Sequence, residues 1–155
     1  MYLYLVQHAE AKSKDEDPER CLSDKGKADI EKVAAFVAKH VALRVDRIIH
    51  SGKTRAQQTG EVLAKHLKPS GGVSSAEGLD PLDDSSIWAK RLADEKDDLM
   101  LVGHLPHLDK LAATLIGQDE EKSVIAFQMG GIVCLERCDS GDWRVSWMVT
   151  PKMLK

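Results

Sequence analysis

His8 follows the apolar run at the start of MYLYLVQHAEA, Arg55 lies within SGKTRAQQT, and His104 lies within LVGHLPH. A neutral imidazole is a nucleophile or a proton carrier, and a guanidinium presents a planar fork that matches the oxygens of a phosphate. Any one of them alone would carry little weight, because the chain has six histidines and a histidine at a strand end is usually structural. Their common setting gives them meaning. Each follows a strand-like run and stands near the start of a helix-like one, and cations gathered at helix N-termini describe an anion site, with phosphate the most familiar occupant.

The elements that must position these residues alternate. Tyr2 to Val6 is a β-branched, aromatic and leucine run with little polar alternation, as expected of a central strand covered on both faces. After the charged stretch AKSKDEDPER, Ser23 is a plausible N-cap for a helix with Ile30, Val33, Ala34, Val37 and Val41 on one side. Asp46 to His50 reads as a strand and Lys53 to Leu67 as a helix. A Pro/Gly/Ser-rich connection follows, then a helix around Ile87 to Glu95 and a buried strand at Leu99 to Val102. Pro106 opens a further helix that Gly117 is expected to stop. Gly131 to Glu136 and Trp143 to Val149 read as a hairpin around CDSGD, with Trp143, Val145, Trp147 and Val149 on one buried face.

The expected fold class is therefore α/β: a three-layer sandwich with a central, mostly parallel sheet, helices on both sides and a closing β-hairpin. In such sheets ligands bind beyond the carboxyl ends of the strands, the edge to which His8, Arg55 and His104 are delivered.

At 155 residues, with 43% hydrophobic and 30% charged, the chain fits one soluble domain over residues 1–155. No apolar run is long enough for a membrane span and no signal-peptide pattern opens the sequence, so the expected compartment is the cytoplasm, without a membrane partner. A net charge of -3 argues against a nucleic-acid partner. Cys21, Cys134 and Cys138 lack zinc-like spacing and read as free thiols.

The segments QHAEA, LSDKG, SGKTRAQQT and VGHLPH occur in the order and approximate spacing of the histidine phosphatase superfamily, which the whole chain resembles. Its short length is similar to that of the bacterial branch of phosphohistidine phosphatases. The resemblance implies a phosphoglycerate-mutase-like fold and a reaction in which His8 attacks phosphorus to form a covalent phosphohistidine that water then hydrolyses. Arg55 and His104 would stabilise the transferring group, His104 by being protonated, with Gln7 and Arg20 completing the phosphate-binding set. Neither a metal nor another cofactor is implied. The implied partner is a phosphohistidine-containing protein, either a phosphotransfer domain of a signalling relay or a phosphocarrier.

The family usually has arginine where this chain has Gln7, so one clamp has lost its charge. Three outcomes stay open: a slower enzyme, replacement of that charge by Arg20 or by a substrate group, or a phosphate- or phosphoprotein-binding module without turnover. A small-molecule phosphomonoesterase of the same superfamily is a further alternative. Only about thirty residues separate Leu67 from Leu99, too few for a large cap, which favours a shallow site and a phosphorylated protein side chain. Glu77, Asp80, Asp83 and Asp84 lie where related enzymes carry a general acid, although acidic residues near a turn are usually just solvated. Glu10 is expected to face water.

Two other patterns fail. SGKT resembles the end of a phosphate-binding loop, but the required glycine is Arg47. His104 and His107 lack the helical spacing of the common zinc motif, and His107 reads as a helix-start residue.

Overall fold

The computed structural model describes residues 1–155. In chain order the elements are β1 (Tyr2–Gln7), α1 (Asp24–Phe36), β2 (Arg47–His50), α2 (Thr54–Leu67), β3 (Val73–Ser75), α3 (Ser86–Asp94), β4 (Leu99–Gly103), α4 (His107–Gly117), β5 (Ile132–Arg137) and β6 (Trp143–Val149). They form one six-stranded sheet in the order β3-β2-β4-β1-β5-β6. The β3-β2, β2-β4 and β4-β1 pairings are parallel, and β5 runs antiparallel to both β1 and β6. The expected three-layer, mostly parallel architecture with a closing hairpin is what forms.

Alternation along the strands builds a core on each face. Tyr4, Val6, Ile48, Met100 and Val102 pack with Ile30, Val33 and Ala34 of α1 and Ala56 and Leu63 of α2. Leu3, Leu5, Ile49, Leu99 and Leu101 pack on the other side with Trp88 and Leu92 of α3 and Leu108, Leu111 and Ala112 of α4. Burial on both sides explains why β1 and β4 read as unbroken apolar runs.

α4 ends on Gly117 as expected, and the left-handed residue that follows it is Gln118, whose N–H donates to Thr114 O at 3.1 Å. Two expectations need correction. The connection after α2 contains a short strand, β3, whose three residues are exposed at the sheet edge and so lack an apolar pattern. In β6 the register slips between Cys134 and Leu135, which pair with Trp147 and Val145 and leave Ser146 as the extra residue. One extra residue reverses the alternation. Trp147 therefore packs on the α1 side, Trp143 packs on the α4 side, and Val145 is exposed rather than buried.

The start of α1 is tied to the segment after β1. Ser23 Oγ accepts from Gly26 N at 3.0 Å as an N-cap and donates to Glu10 Oε1 at 2.7 Å. Glu10 is thus a structural acceptor, not the solvated residue expected. Gly26 passes so close to the Glu10 carbonyl that an added Cβ would overlap it. Gly26→Ala should destabilise the protein by about 2–3 kcal/mol, the usual cost of overpacking. Gly117→Ala, at a site with nothing within 4 Å, should be neutral or stabilising by up to about 1 kcal/mol. Urea denaturation of the two variants checks the contrast.

Candidate functional site

The parallel pairing of β1 with β4 places Gln7 opposite Gly103, and His8 N donates to Gly103 O at 3.0 Å. The residues that follow, His8 and His104, therefore emerge side by side. Their ring centroids lie 5.1 Å apart at 51°, and only 9% and 2% of the two residues is exposed. Both sit at the carboxyl edge of the sheet.

His8 Nδ1 lies 2.7 Å from Ala9 O. A carbonyl only accepts, so Nδ1 carries the hydrogen and Nε2 keeps its lone pair. Burial pushes the His8 pKa down to about 4, Arg55 and Arg20 push the same way, and the Ala9 bond opposes them. The ring is therefore neutral at physiological pH. Ala9 is itself fixed: its N–H donates to Thr59 Oγ1 at 3.0 Å, and Thr59 Oγ1 donates to Arg55 O at 2.7 Å.

Arg55 is half-buried in the first turn of α2, and its Nε is buried without a partner. Burial, then the charge of Arg20, lowers its pKa, opposed by Asp80. His104 Nε2 lies 2.7 Å from Ser51 Oγ, while its Nδ1 is buried without a partner. Burial, then His8 and Arg55, pushes the His104 pKa down to about 3. The protonated His104 of the expected mechanism is thus neutral here, because its burial and the nearby positive charge of Arg55 and Lys53 oppose a further charge. A bound dianion reverses that balance.

Arg20 joins from the loop after β1. It holds φ 50 and anchors Nε to Lys12 O at 3.0 Å, leaving the rest of its guanidinium free. Its charge acts on both His8 and Arg55. Gln7 is half-buried at the end of β1, where its carbonyl accepts from Gly130 N and its side chain has no hydrogen-bond partner. The structure thus gathers His8, His104, Arg55 and Arg20 at one sheet edge, with Gln7 at the strand end beside His8.

Of the four acidic residues, Glu77, Asp80 and Asp83 line a cavity of about 580 Å³ that also includes Ser51, and Asp84 accepts from Ser86 N at 2.9 Å at the start of α3. Ser51 and Thr59 were missed by sequence reasoning. The signal for Ser51 was its place directly after β2; for Thr59 it was the last letter of RAQQT. His107 is fully buried; burial lowers its pKa, opposed by the charge of Asp83 and by the Gly78 backbone, although neither ring nitrogen makes a hydrogen bond of good geometry. No three His, Cys, Asp or Glu side chains are grouped to hold a metal ion, and no helix is long and apolar enough to cross a membrane.

The fold recurs in solved structures. The protein histidine phosphatase SixA complexed with tungstate superposes with a TM-score of 0.87 over 100% of both chains at 22% identity. A protein from Agrobacterium tumefaciens, proposed as a phosphohistidine phosphatase SixA, gives 0.78 over 97% of each chain at 24%. A mycobacterial glucosyl-3-phosphoglycerate phosphatase in complex with VO3 gives 0.72 at 14% identity, over 94% of this chain and 97% of that one. This chain shares their fold. No protein-family profile matches the sequence, and no curated protein does.

The lowered histidine pKa values set the acid stability. His8, His50, His104 and His107 all bind protons more weakly in the folded chain than their ordinary 6.5. Protons therefore favour unfolding, so stability is complete above about 6.5 and falls as pH drops towards 4. The urea midpoint should decline across that window. Saturating tungstate should offset part of the decline and, by histidine NMR titration, raise the pKa of His104.

Proposed function

We propose that the protein is a phosphohistidine phosphatase, which removes the phosphoryl group from a histidine of a partner protein through a covalent intermediate on His8. The observation that carries the reading is the His8 Nδ1–Ala9 O hydrogen bond of 2.7 Å in a ring held neutral. It leaves the Nε2 lone pair free, which supports this nitrogen as the nucleophile. A module that only bound phosphate would gain more from a protonated ring than from a neutral one.

In the first step the Nε2 lone pair attacks phosphorus in line with the departing group. The P–N bond of the substrate breaks, and its electron pair stays on the leaving nitrogen. Arg55 Nε and His104 Nδ1 are polar atoms buried without partners, and the equatorial oxygens of the transferring group would satisfy both. Negative charge on those oxygens draws a proton onto His104, and Arg20 adds a further cation. Water then attacks the phosphohistidine, His8 leaves as neutral imidazole, and phosphate is released.

The partner in this reading is a phosphotransfer domain or a phosphocarrier in the cytoplasm. Three observations support a protein substrate. They are the full-length likeness to SixA structures, the short span between α2 and β4 that leaves no room for a large cap, and the cavity beside Ser51 at the surface. The fold also carries small-molecule activity, as the name of the mycobacterial relative states, so substrate choice is tested directly.

Incubation with a phosphohistidine donor should place acid-labile phosphate on His8 that turns over; binding without label would leave a non-catalytic module. His8→Ala should abolish both label and turnover. Gln7→Arg should raise turnover, by as much as about a hundredfold if one transition-state donor is restored; an unchanged or lower rate would mean that Gln7 does not face the transferring group.

A further inference from the structure

The cavity beside Ser51 is lined by Glu77, Asp80 and Asp83 and by no lysine, arginine or histidine. It adjoins the phosphoryl site directly, since Ser51 Oγ, on its wall, is bonded to His104 Nε2. The wall is held in place through its backbone. Glu77 O accepts from Trp88 Nε1 and from Arg91 Nη1, each at 3.1 Å, and Asp80 N donates to Asp83 Oδ2 at 2.9 Å. A Cβ at Gly78, where φ is +85, would press on Trp88 and Ile87.

The charges on this wall are poorly compensated. The Glu77 carboxylate makes no hydrogen bond or ion pair, and Asp80 has only Lys53 at 4.0 Å. Positive charge therefore gathers on one side, at Arg55 and Arg20 beside the two neutral imidazoles, and carboxylates gather on the other. A substrate that fits this field has a dianionic phosphoryl group followed by a positive charge. A substrate whose leaving portion carries a second anion meets repulsion.

We infer that this cavity is the leaving-group subsite, and that Glu77 and Asp80 bind a protonated imidazole, the cationic ring of a phosphorylated histidine side chain. The inference rests on the function proposed above and names the chemical form of its substrate. In that form one ring nitrogen carries phosphorus and the other carries a proton. When the P–N bond breaks, its electron pair returns to the first nitrogen, the proton stays on the second, and neutral imidazole departs. The carboxylates favour the protonated ring before cleavage, so no separate acid needs to deliver a proton. Phosphomonoesters, which leave as alkoxides, gain nothing from the same wall.

The test compares a phosphohistidine peptide with p-nitrophenyl phosphate as substrates of Glu77→Gln, Asp80→Asn and the double variant. Each single change should lower the ratio of kcat/KM for the peptide to that for the ester by about tenfold, the double change by more. A ratio within twofold of wild type in all three variants overturns the subsite. A readout without turnover separates this inference from the phosphatase reading: binding of N-acetylhistidinamide to the tungstate-loaded protein, at a pH where that ring is protonated. Loss of this binding in the double variant supports the subsite even if His8 never takes label, and equal binding to wild type and double variant overturns it even if His8 does.

Discussion

One hydrogen bond decides what the rest of this site can be. The Ala9 carbonyl takes the hydrogen of His8 Nδ1 and so determines the tautomer, leaving the lone pair on Nε2. That carbonyl must not move, and a chain of contacts fixes it: Ala9 N to Thr59 Oγ1, then Thr59 Oγ1 to Arg55 O. The His8 ring and Arg55 are thereby linked through three hydrogen bonds, although 46 positions lie between them in the sequence. Ala9 and Thr59 are both without solvent exposure. Water does not compete for these bonds, which makes them worth more than the same bonds at the surface.

The second constraint is the register of β1 against β4. A shift of one residue would turn His8 to the opposite face and separate it from His104. That register is specified from both sides, because Leu3 and Leu5 belong to one core and Tyr4 and Val6 to the other. The apolar strands are thus the device that brings two imidazoles to 5.1 Å. The arrangement carries a cost. Arg20 and Arg55 repel one another, burial keeps protons off the two rings, and Arg55 Nε and His104 Nδ1 are buried without partners. Polar atoms left unsatisfied in this way give up stability, the compromise expected where function and folding pull apart.

Much of this was legible in the sequence, for identifiable reasons. Strands with two buried faces leave apolar runs, so β1 and β4 stood out, and with them the residues that follow, His8 and His104. Ser23 was readable as a cap because side chains of its type satisfy open helix N–H groups. What failed to show was whatever depends on a partner far along the chain. Glu10 looks solvated until Ser23 Oγ is brought to it, Ser51 looks like a turn residue until His104 is brought to it, and β3 has no buried face to leave a pattern. The slip in β6 is of the same kind: alternation assigned Trp143 and Trp147 to one face, and the extra residue that separates them is visible only in the pairing with β5.

Gln7 and Arg20 are best understood together. At the end of β1 Gln7 places an uncharged amide next to His8, while Arg55 and Arg20 supply the guanidiniums of the site. Arg20 meanwhile holds a left-handed backbone, φ 50, which a residue with a Cβ adopts at a cost of about 1 kcal/mol or more. Its turn is held by several bonds: Arg20 N to Asp17 O at 2.9 Å, Cys21 N to Asp17 Oδ2 at 3.0 Å, and Arg20 Nε to Lys12 O. A loop that only linked two elements could take a glycine there and avoid the cost. Strain retained at a residue whose charge acts on both His8 and Arg55 fits a loop that supplies part of the positive potential at this edge of the sheet. An uncharged Gln7 also spares β1 the repulsion that a cation next to His8 would exert within the strand, and the charge sits instead on a hydrogen-bonded turn.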